Sequence, residues 1–382
     1  MKLLFLLKHL MIVLVLFGCT NKIKEINIGC IAPLTSKATK LGNESVNTIR
    51  LTVDNYNRTK KDSEPIINLH IEDGKWNIDS IQAAYKKLRT NHDIKVLLSA
   101  NYLSLIKLKK YIIKDDILAI NYAHNSEKLA SLDRNIFRIA MTLENSNAII
   151  AKRIFDKKLN NIAIINSKTE FSYLGANAIK NSLNEYGITN YTYNINYKQD
   201  KEFDQLYLND ILSELKQNKV EACVFVGYSS LHDIMLSINE KLPNTPFFLG
   251  IISRDSFLNN HQILYDKNIE FPFLTELDGN YIIAKEFINN YINTYNVEPE
   301  FKWICLQAYD TTKILINELR SINENSIPND ITTWLRHRLF EVNNYKGASG
   351  NLSIKEDGSV SGINFSIYQF LTSREIKRIK SY

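Results

Sequence analysis

Short apolar runs alternate with stretches of helical period along most of the chain. INIGCIAPL (26–34) is apolar almost throughout and reads as a buried strand. Residues 42–58, GNESVNTIRLTVDNYNR, space Val46, Ile49, Val53 and Tyr56 by three and four, which predicts one buried helix face. IINLHIED (66–73) is the next strand, and 78–91 the next helix, with Ile81, Ala84, Tyr85 and Leu88 inward. Strands follow at 95–100, 117–122 and 136–140, with a short helix from Leu103 to Lys114 between the first two. A helix from about Asn145 to Lys158 precedes strands at 161–167, around YTYNINY (191–197), at 222–228 and at 246–252. Helices at Ser172–Tyr186, Asp204–Asn218 and Ser230–Lys241 separate them.

This strand–helix repeat predicts an α/β fold with parallel sheets covered on both faces by right-handed crossovers. The series restarts near residue 145, so two doubly wound parallel-sheet lobes are expected. In open sheets of this kind ligands sit outside the carboxyl ends of the strands. The loops at 33–42, 99–104, 121–126, 167–173, 227–230 and 251–255 are therefore where a site would form. Beyond residue 275 two long helices flank the turn Val297-Glu298-Pro299, and the glycine-punctuated stretch 347–370 reads as β-hairpin.

A length of 382 residues fits two domains of ordinary size, and 45% apolar residues suffice for full cores. The N-terminus behaves differently. Lys2, Lys8 and His9 precede an unbroken apolar run from Leu10 to Phe17, too short for a bilayer span of about 20 residues. It fits the apolar region of a secretory signal. Leu16-Phe17-Gly18-Cys19 resembles the bacterial lipoprotein box, in which the cysteine is acylated and becomes the first mature residue. Acyl chains on Cys19 would hold the protein to a membrane. Loss of residues 1–18 leaves 45 basic and 41 acidic residues, a charge of +4 without like-charge blocks, which argues against nucleic acid as a partner. Cys30, Cys223 and Cys305 remain, each in an apolar context without metal spacing, and read as buried thiols.

The whole arrangement resembles the type I periplasmic binding proteins, nearest to the branched-chain amino acid (Leu/Ile/Val) branch of ABC transporter substrate-binding lipoproteins. IGCIAPLTSKATKLGNESVNTIRLTVDNYN is similar to the family's opening strand, Pro-Leu-Thr loop and first helix. LHIEDGKWNIDSIQAAYKKL, FRIAMT, INTYNVEPEFKWICLQAYDTTKIL and YKGASGNLSIKEDGSV resemble later family segments, in order. The resemblance implies a first lobe of 24–142 plus about 276–336 and a second of 143–275 plus about 337–382. Three crossing strands would form the hinge between them.

The resemblance also implies a ligand set. Ser104 stands near the family's carboxylate-binding serine, in Ser99-Ala100-Asn101-Tyr102-Leu103-Ser104. Tyr122, Ala123 and His124 replace the family's Ser-Ala-Thr, and Phe171 with Tyr173 replaces its Tyr-Gly. Tyr228 matches a ligand aromatic, Ser253 and Arg254 occupy the place of the family's acid, and Leu41 stands where relatives place an aromatic. Tyr122 reads equally as a strand-end core aromatic. An amino-acid ammonium needs a carboxylate, for which Glu170 and Asp255 are the candidates; without one, an anionic or neutral ligand is favoured.

The implied function is an extracytoplasmic, membrane-anchored solute-binding lipoprotein that delivers a small amino acid-like ligand, amide or carboxylate to an ABC permease. No cofactor or metal is implied, and no nucleophile elbow, phosphate loop or carboxylate cluster points to an enzyme. The competing expectation is a sensing or cell-wall-associated lipoprotein of the same fold.

Overall fold

The computed structural model describes residues 25–123, 133–195, 205–227, 231–250, 267–274, 281–322, 330–371 and 376–382. The first apolar run becomes β1 (Glu25–Ala32), and its alternating side chains feed two cores. Ile28 and Cys30 share one with α1 (Thr39–Thr59); Ile31 shares the other with α2 (Ile78–His92) and α3 (Tyr102–Lys114). β1 lies between β2 (Ile66–Asp73) and β3 (Val96–Ser99), followed by β4 (Leu118–Asn121) and β5 (Ile136–Arg138). The sheet is parallel throughout, in the order β2-β1-β3-β4-β5. Val46, Ile49, Val53 and Tyr56 on α1, and Ile81, Ala84, Tyr85 and Leu88 on α2, are all buried, as their spacing requires.

The second lobe carries a seven-stranded sheet in the order β15-β14-β10-β9-β8-β6-β7. Its strands β6 (Asn161–Ser167), β7 (Thr189–Ile195), β8 (Ala222–Val226), β9 (Phe247–Leu249) and β10 (Glu270–Leu274) are parallel. Among the described residues this half has the helices α4 (Leu143–Asp156), α5 (Glu170–Glu185), α6 (Gln205–Gln217) and α7 (His232–Lys241). β14 (Phe365–Phe370) and β15 (Ile376–Ser381) then add to the β10 edge antiparallel, so the parallel core of this sheet has an antiparallel margin. A chain that returns along its neighbour needs no crossover helix, which is why the margin can reverse direction.

α8 (Ile282–Tyr295) and α9 (Lys302–Arg320) pack on α1, and α10 (Ile331–Phe340) packs on α9 and β4. Glu44 explains how the Glu-Pro turn is seated: its carboxylate accepts from the amides of Glu300 (3.1 Å) and Phe301 (2.8 Å), just before α9. The predicted hairpin is present as β12 (Gly350–Ile354) and β13 (Val360–Ile363), joined by β11 (Tyr345–Lys346) into a small antiparallel sheet.

The chain passes between the lobes after β5, again between β10 and α8, and a third time through this small sheet. α9 grips the first and third passages with buried polar side chains. Gln307 accepts from the Met141 amide (2.5 Å), and the Thr311 hydroxyl donates to the Ile139 carbonyl (3.0 Å). Asp310, fully buried, accepts from the amides of Ala348 (2.5 Å) and Ser349 (2.8 Å) and from the Ser349 hydroxyl (2.5 Å). Arg138, also buried, pairs with Asp357 (2.6 Å) and so ties the two passages to each other. Cys30, Cys223 and Cys305 are buried, with free thiols among the described residues. Burial pushes the Cys30 and Cys223 thiols up to about 12, which keeps them protonated and unreactive.

Candidate functional site

The carboxyl ends of β1 to β4 and of β6 and β8 mark the side of each sheet where a ligand would sit. The loop after β1 is short and pinned. Asp73, the last residue of β2, accepts from the Leu34 amide (2.8 Å), the Lys75 amide (2.9 Å) and the Thr35 hydroxyl. Burial works to raise the Asp73 carboxyl, but these hydrogen bonds outweigh it and hold it below its usual value. α1 begins at Thr39, so Leu41 is a first-turn helix residue, half-buried against the first lobe's core.

At the end of β3 the helix starts one residue earlier than expected. Asn101 caps it, its side chain accepting from the Leu103 amide (2.9 Å), while its carbonyl accepts from the Ser104 amide (3.1 Å). Ser104 is 2% exposed and turns inward; Leu103, 37% exposed, faces out. At the end of β4, Tyr122 is a core residue. It is fully buried, with its hydroxyl 3.2 Å from Ser45 Oγ and 3.8 Å from Cys30 Sγ. The Ala123 amide donates to the Asn121 side chain (3.4 Å), and Asn121 is fully buried. The Ala123 amide, one of the groups expected near a ligand carboxylate, thus has a partner within the protein.

On the second lobe, Thr169 caps α5 by accepting from the Ser172 amide (3.2 Å). The Ser172 hydroxyl lies 2.7 Å from Ser167 Oγ and 2.8 Å from Thr169 Oγ1, a closed hydroxyl cluster. Glu170, the acid considered for a ligand ammonium, is exposed. Phe171 meets the first lobe: its ring stacks on the buried Tyr102 of α3, centroids 6.4 Å apart and planes 25° apart. Tyr173 instead lines a cavity of ≈ 590 Å³ with Lys168, Tyr193, Asp210 and Glu214, all from the second lobe. His124, Tyr228, Ser253, Arg254, Asp255 and Cys19 lie outside the described residues.

Tyr102 and Asn101 were not singled out from the sequence. The only signal was an Asn before an apolar run, which is a helix-cap pattern. Among the described residues no group of three or more His, Cys, Asp or Glu side chains could hold a metal ion.

No curated protein matches the chain significantly. Solved structures of the same fold are numerous. The leucine binding protein LivK from Thermotoga maritima is 13% identical with a TM-score of 0.74, over 93% of this chain and 98% of that one. The branched-chain amino acid transporter substrate binding protein LivJ from Streptococcus pneumoniae, in complex with isoleucine, is 17% identical with a TM-score of 0.71, over 94% and 100%. An ABC transporter solute binding protein from R. palustris, in complex with benzoate, is 13% identical with a TM-score of 0.72, over 94% and 96%. The periplasmic binding protein family model matches residues 25–231, more than half of the sequence. With two α/β lobes joined by repeated passages of the chain, and strand ends carrying the loops a ligand would meet, this chain belongs to the periplasmic binding protein family.

Proposed function

We propose that the chain is an extracytoplasmic solute-binding lipoprotein that closes its two lobes on a small ligand and delivers it to an ABC permease. The observation that carries this reading is the Tyr102–Phe171 contact, which joins a strand-end helix of one lobe to a strand-end helix of the other. The first lobe comprises 25–142 with 281–340, the second 143–274 with 365–382, and the small sheet lies at the hinge. Relatives of this fold bind leucine, isoleucine or benzoate. The ligand here is accordingly an amino acid, a related amide or a small carboxylate. Phe171 contributes to its site, joined by His124, Tyr228 and Ser253 from the flanking loops. Cys19 carries the lipid anchor.

The inward turn of Ser104 and the engaged Ala123 amide favour a second reading, a lipoprotein of the same fold that senses or binds without transport. Thermal-shift screening of residues 20–382 against amino acids, amides and small carboxylates tests both. A ligand at 100 times its Kd adds about 2.7 kcal/mol, a shift of several degrees. A panel-wide absence of shift would contradict solute binding. Co-purification of a neighbouring permease separates transport from sensing, and retention of a Cys19→Ser variant in the membrane fraction would refute the anchor.

A further inference from the structure

We infer that the outer edge of β2 pairs antiparallel with the same strand of a second copy of this chain, which makes the first lobe a dimerisation surface. The pairing is independent of the ligand and of delivery to a permease.

β1 and β2 run in unbroken register, from Glu25 against Ile66 to Ala32 against Asp73, and β2 is the last strand on its side of the sheet. The Gly74 amide donates to the Ala32 carbonyl of β1 (2.9 Å), so even-numbered positions of β2 turn their backbone toward β1 and odd-numbered ones turn it away. Ile67 fits this alternation. The Asn57 side chain of α1 accepts from its amide (3.0 Å) and donates to its carbonyl (2.8 Å), as a neighbouring strand would. Leu69 and Ile71 turn the same way, and among the described residues no group bonds their backbone on that side. Exposed strand edges are usually blunted by shortness, lysine, proline or a bulge. The sheet's other edge, β5, is three residues long, and its outer side is taken where the Arg138 amide donates to the Gly358 carbonyl (2.8 Å). β2 has eight residues and none of these devices.

The groove beside the edge selects the partner. A cavity of ≈ 360 Å³ runs between α1 and β2 over Val53, Ile67, Leu69 and Ile71, with the exposed Arg50 and Asp54 at its rim. Leu69 and Ile71 are only half-buried, so a covering strand removes further apolar surface from water. α1 runs back along β2 from the contact of Asn57 with Ile67, which sets Asp54 about 4.5 Å and Arg50 about 10.5 Å farther toward Asp73. The acid thus precedes the base along the groove. An antiparallel second copy presents the reverse order and brings the acid of each groove to the base of the other, a self-complementary contact about a two-fold axis. Parallel pairing would set like charges side by side. Opposing Leu69 to the other copy's Ile71 lets each such pair exchange both N–H···O=C bonds and leaves the Asn57 contacts in place. That register sets His70 against its counterpart at the axis; burial, with the adjoining His92, holds its imidazole below its usual value and so uncharged at neutral pH. Only first-lobe residues take part, which leaves the second lobe free.

Sedimentation equilibrium of residues 20–382 measures the association, and amide hydrogen exchange locates it. A monomer–dimer equilibrium weakened by salt is expected. Exchange at the Leu69 and Ile71 amides is expected to slow as concentration rises, while the Ile67 amide, already bonded to Asn57, stays unchanged. Arg50→Glu and Asp54→Lys are each expected to raise the dimer Kd about ten-fold, because exposed ion pairs become like-charge contacts. The two substitutions together are expected to restore it, which no loss of fold can imitate. A chain that stays monomeric at millimolar concentration overturns the inference, as does a dimer indifferent to the charge reversals or not restored by the double variant. Protection of Leu69 and Ile71 at every dilution would mean that another segment of the chain covers the edge, and overturns it too.

Discussion

Gly42 shows how much one residue decides at the mouth of the first lobe. A Cβ built there would stand 2.0 Å from the Pro33 carbonyl oxygen, a backbone atom that cannot rotate away. α1 therefore crosses close over the end of β1, and the connection stays short because the helix starts beside it. Alanine is the better helix former by about 1 kcal/mol, but the backbone overlap outweighs that preference. Gly42→Ala is expected to destabilise by roughly 1–3 kcal/mol, the usual cost of overpacking. Urea denaturation checks it; a variant as stable as the parent would show that the close approach is not tight. The sequence displayed this glycine plainly, yet read it as the start of a helix. What fixes it is a carbonyl nine residues upstream, and no local pattern reports that distance. Tyr122 taught the same thing in reverse: an aromatic at a strand end carries no mark of which way its ring turns, and Ser45 with Cys30 supply the answer.

Among the elements, α9 matters most for movement. Gln307, Asp310 and Thr311 fall on one face at three and four residue spacing, and all three are buried on the passages between the lobes. Polar residues on a buried face dilute an apolar periodicity, so sequence reading recognises the helix and misses its grip. Strands and apolar helix faces were legible because burial of alternating or three-and-four spaced side chains is a local rule. Asp310 makes the grip sensitive to pH. Burial raises its carboxyl to about 6, against hydrogen bonds from Ser349 and Ala348 that lower it. An unfolded aspartate titrates near 4, so between about pH 4 and 6 the native state binds the extra proton. Stability from this group is then greatest below about pH 4 and falls as pH rises through 6, by an amount on the order of 2–3 kcal/mol. Asp73 acts with opposite sign: its lowered carboxyl loses its contribution as pH falls below about 4. Denaturation of the parent and of Asp310→Asn from pH 4.5 to 7 separates them. A variant with the parent's slope in that window would remove Asp310 from the explanation.

At the scale of the molecule, two α/β units are connected by repeated passages of the chain, and Tyr102 of one stacks on Phe171 of the other. The doubly wound plan was legible from the restart of the strand–helix series, because parallel strands demand crossovers that leave a repeat in the sequence. The cross-lobe contact was not. Tyr102 and Phe171 belong to different units, and nothing near either residue announces the other. Hinge closure over a cleft of this kind is a rigid-body movement of lobes about short connecting segments, with the cores of each lobe unchanged. Small-angle scattering of residues 20–382, titrated with the solute that most raises the melting temperature, measures that movement directly. Closure predicts a radius of gyration that falls with ligand concentration and saturates at the same half-point as binding. An identical scattering profile at every concentration, with the ligand demonstrably bound, would contradict a cleft that works by bringing the two lobes together.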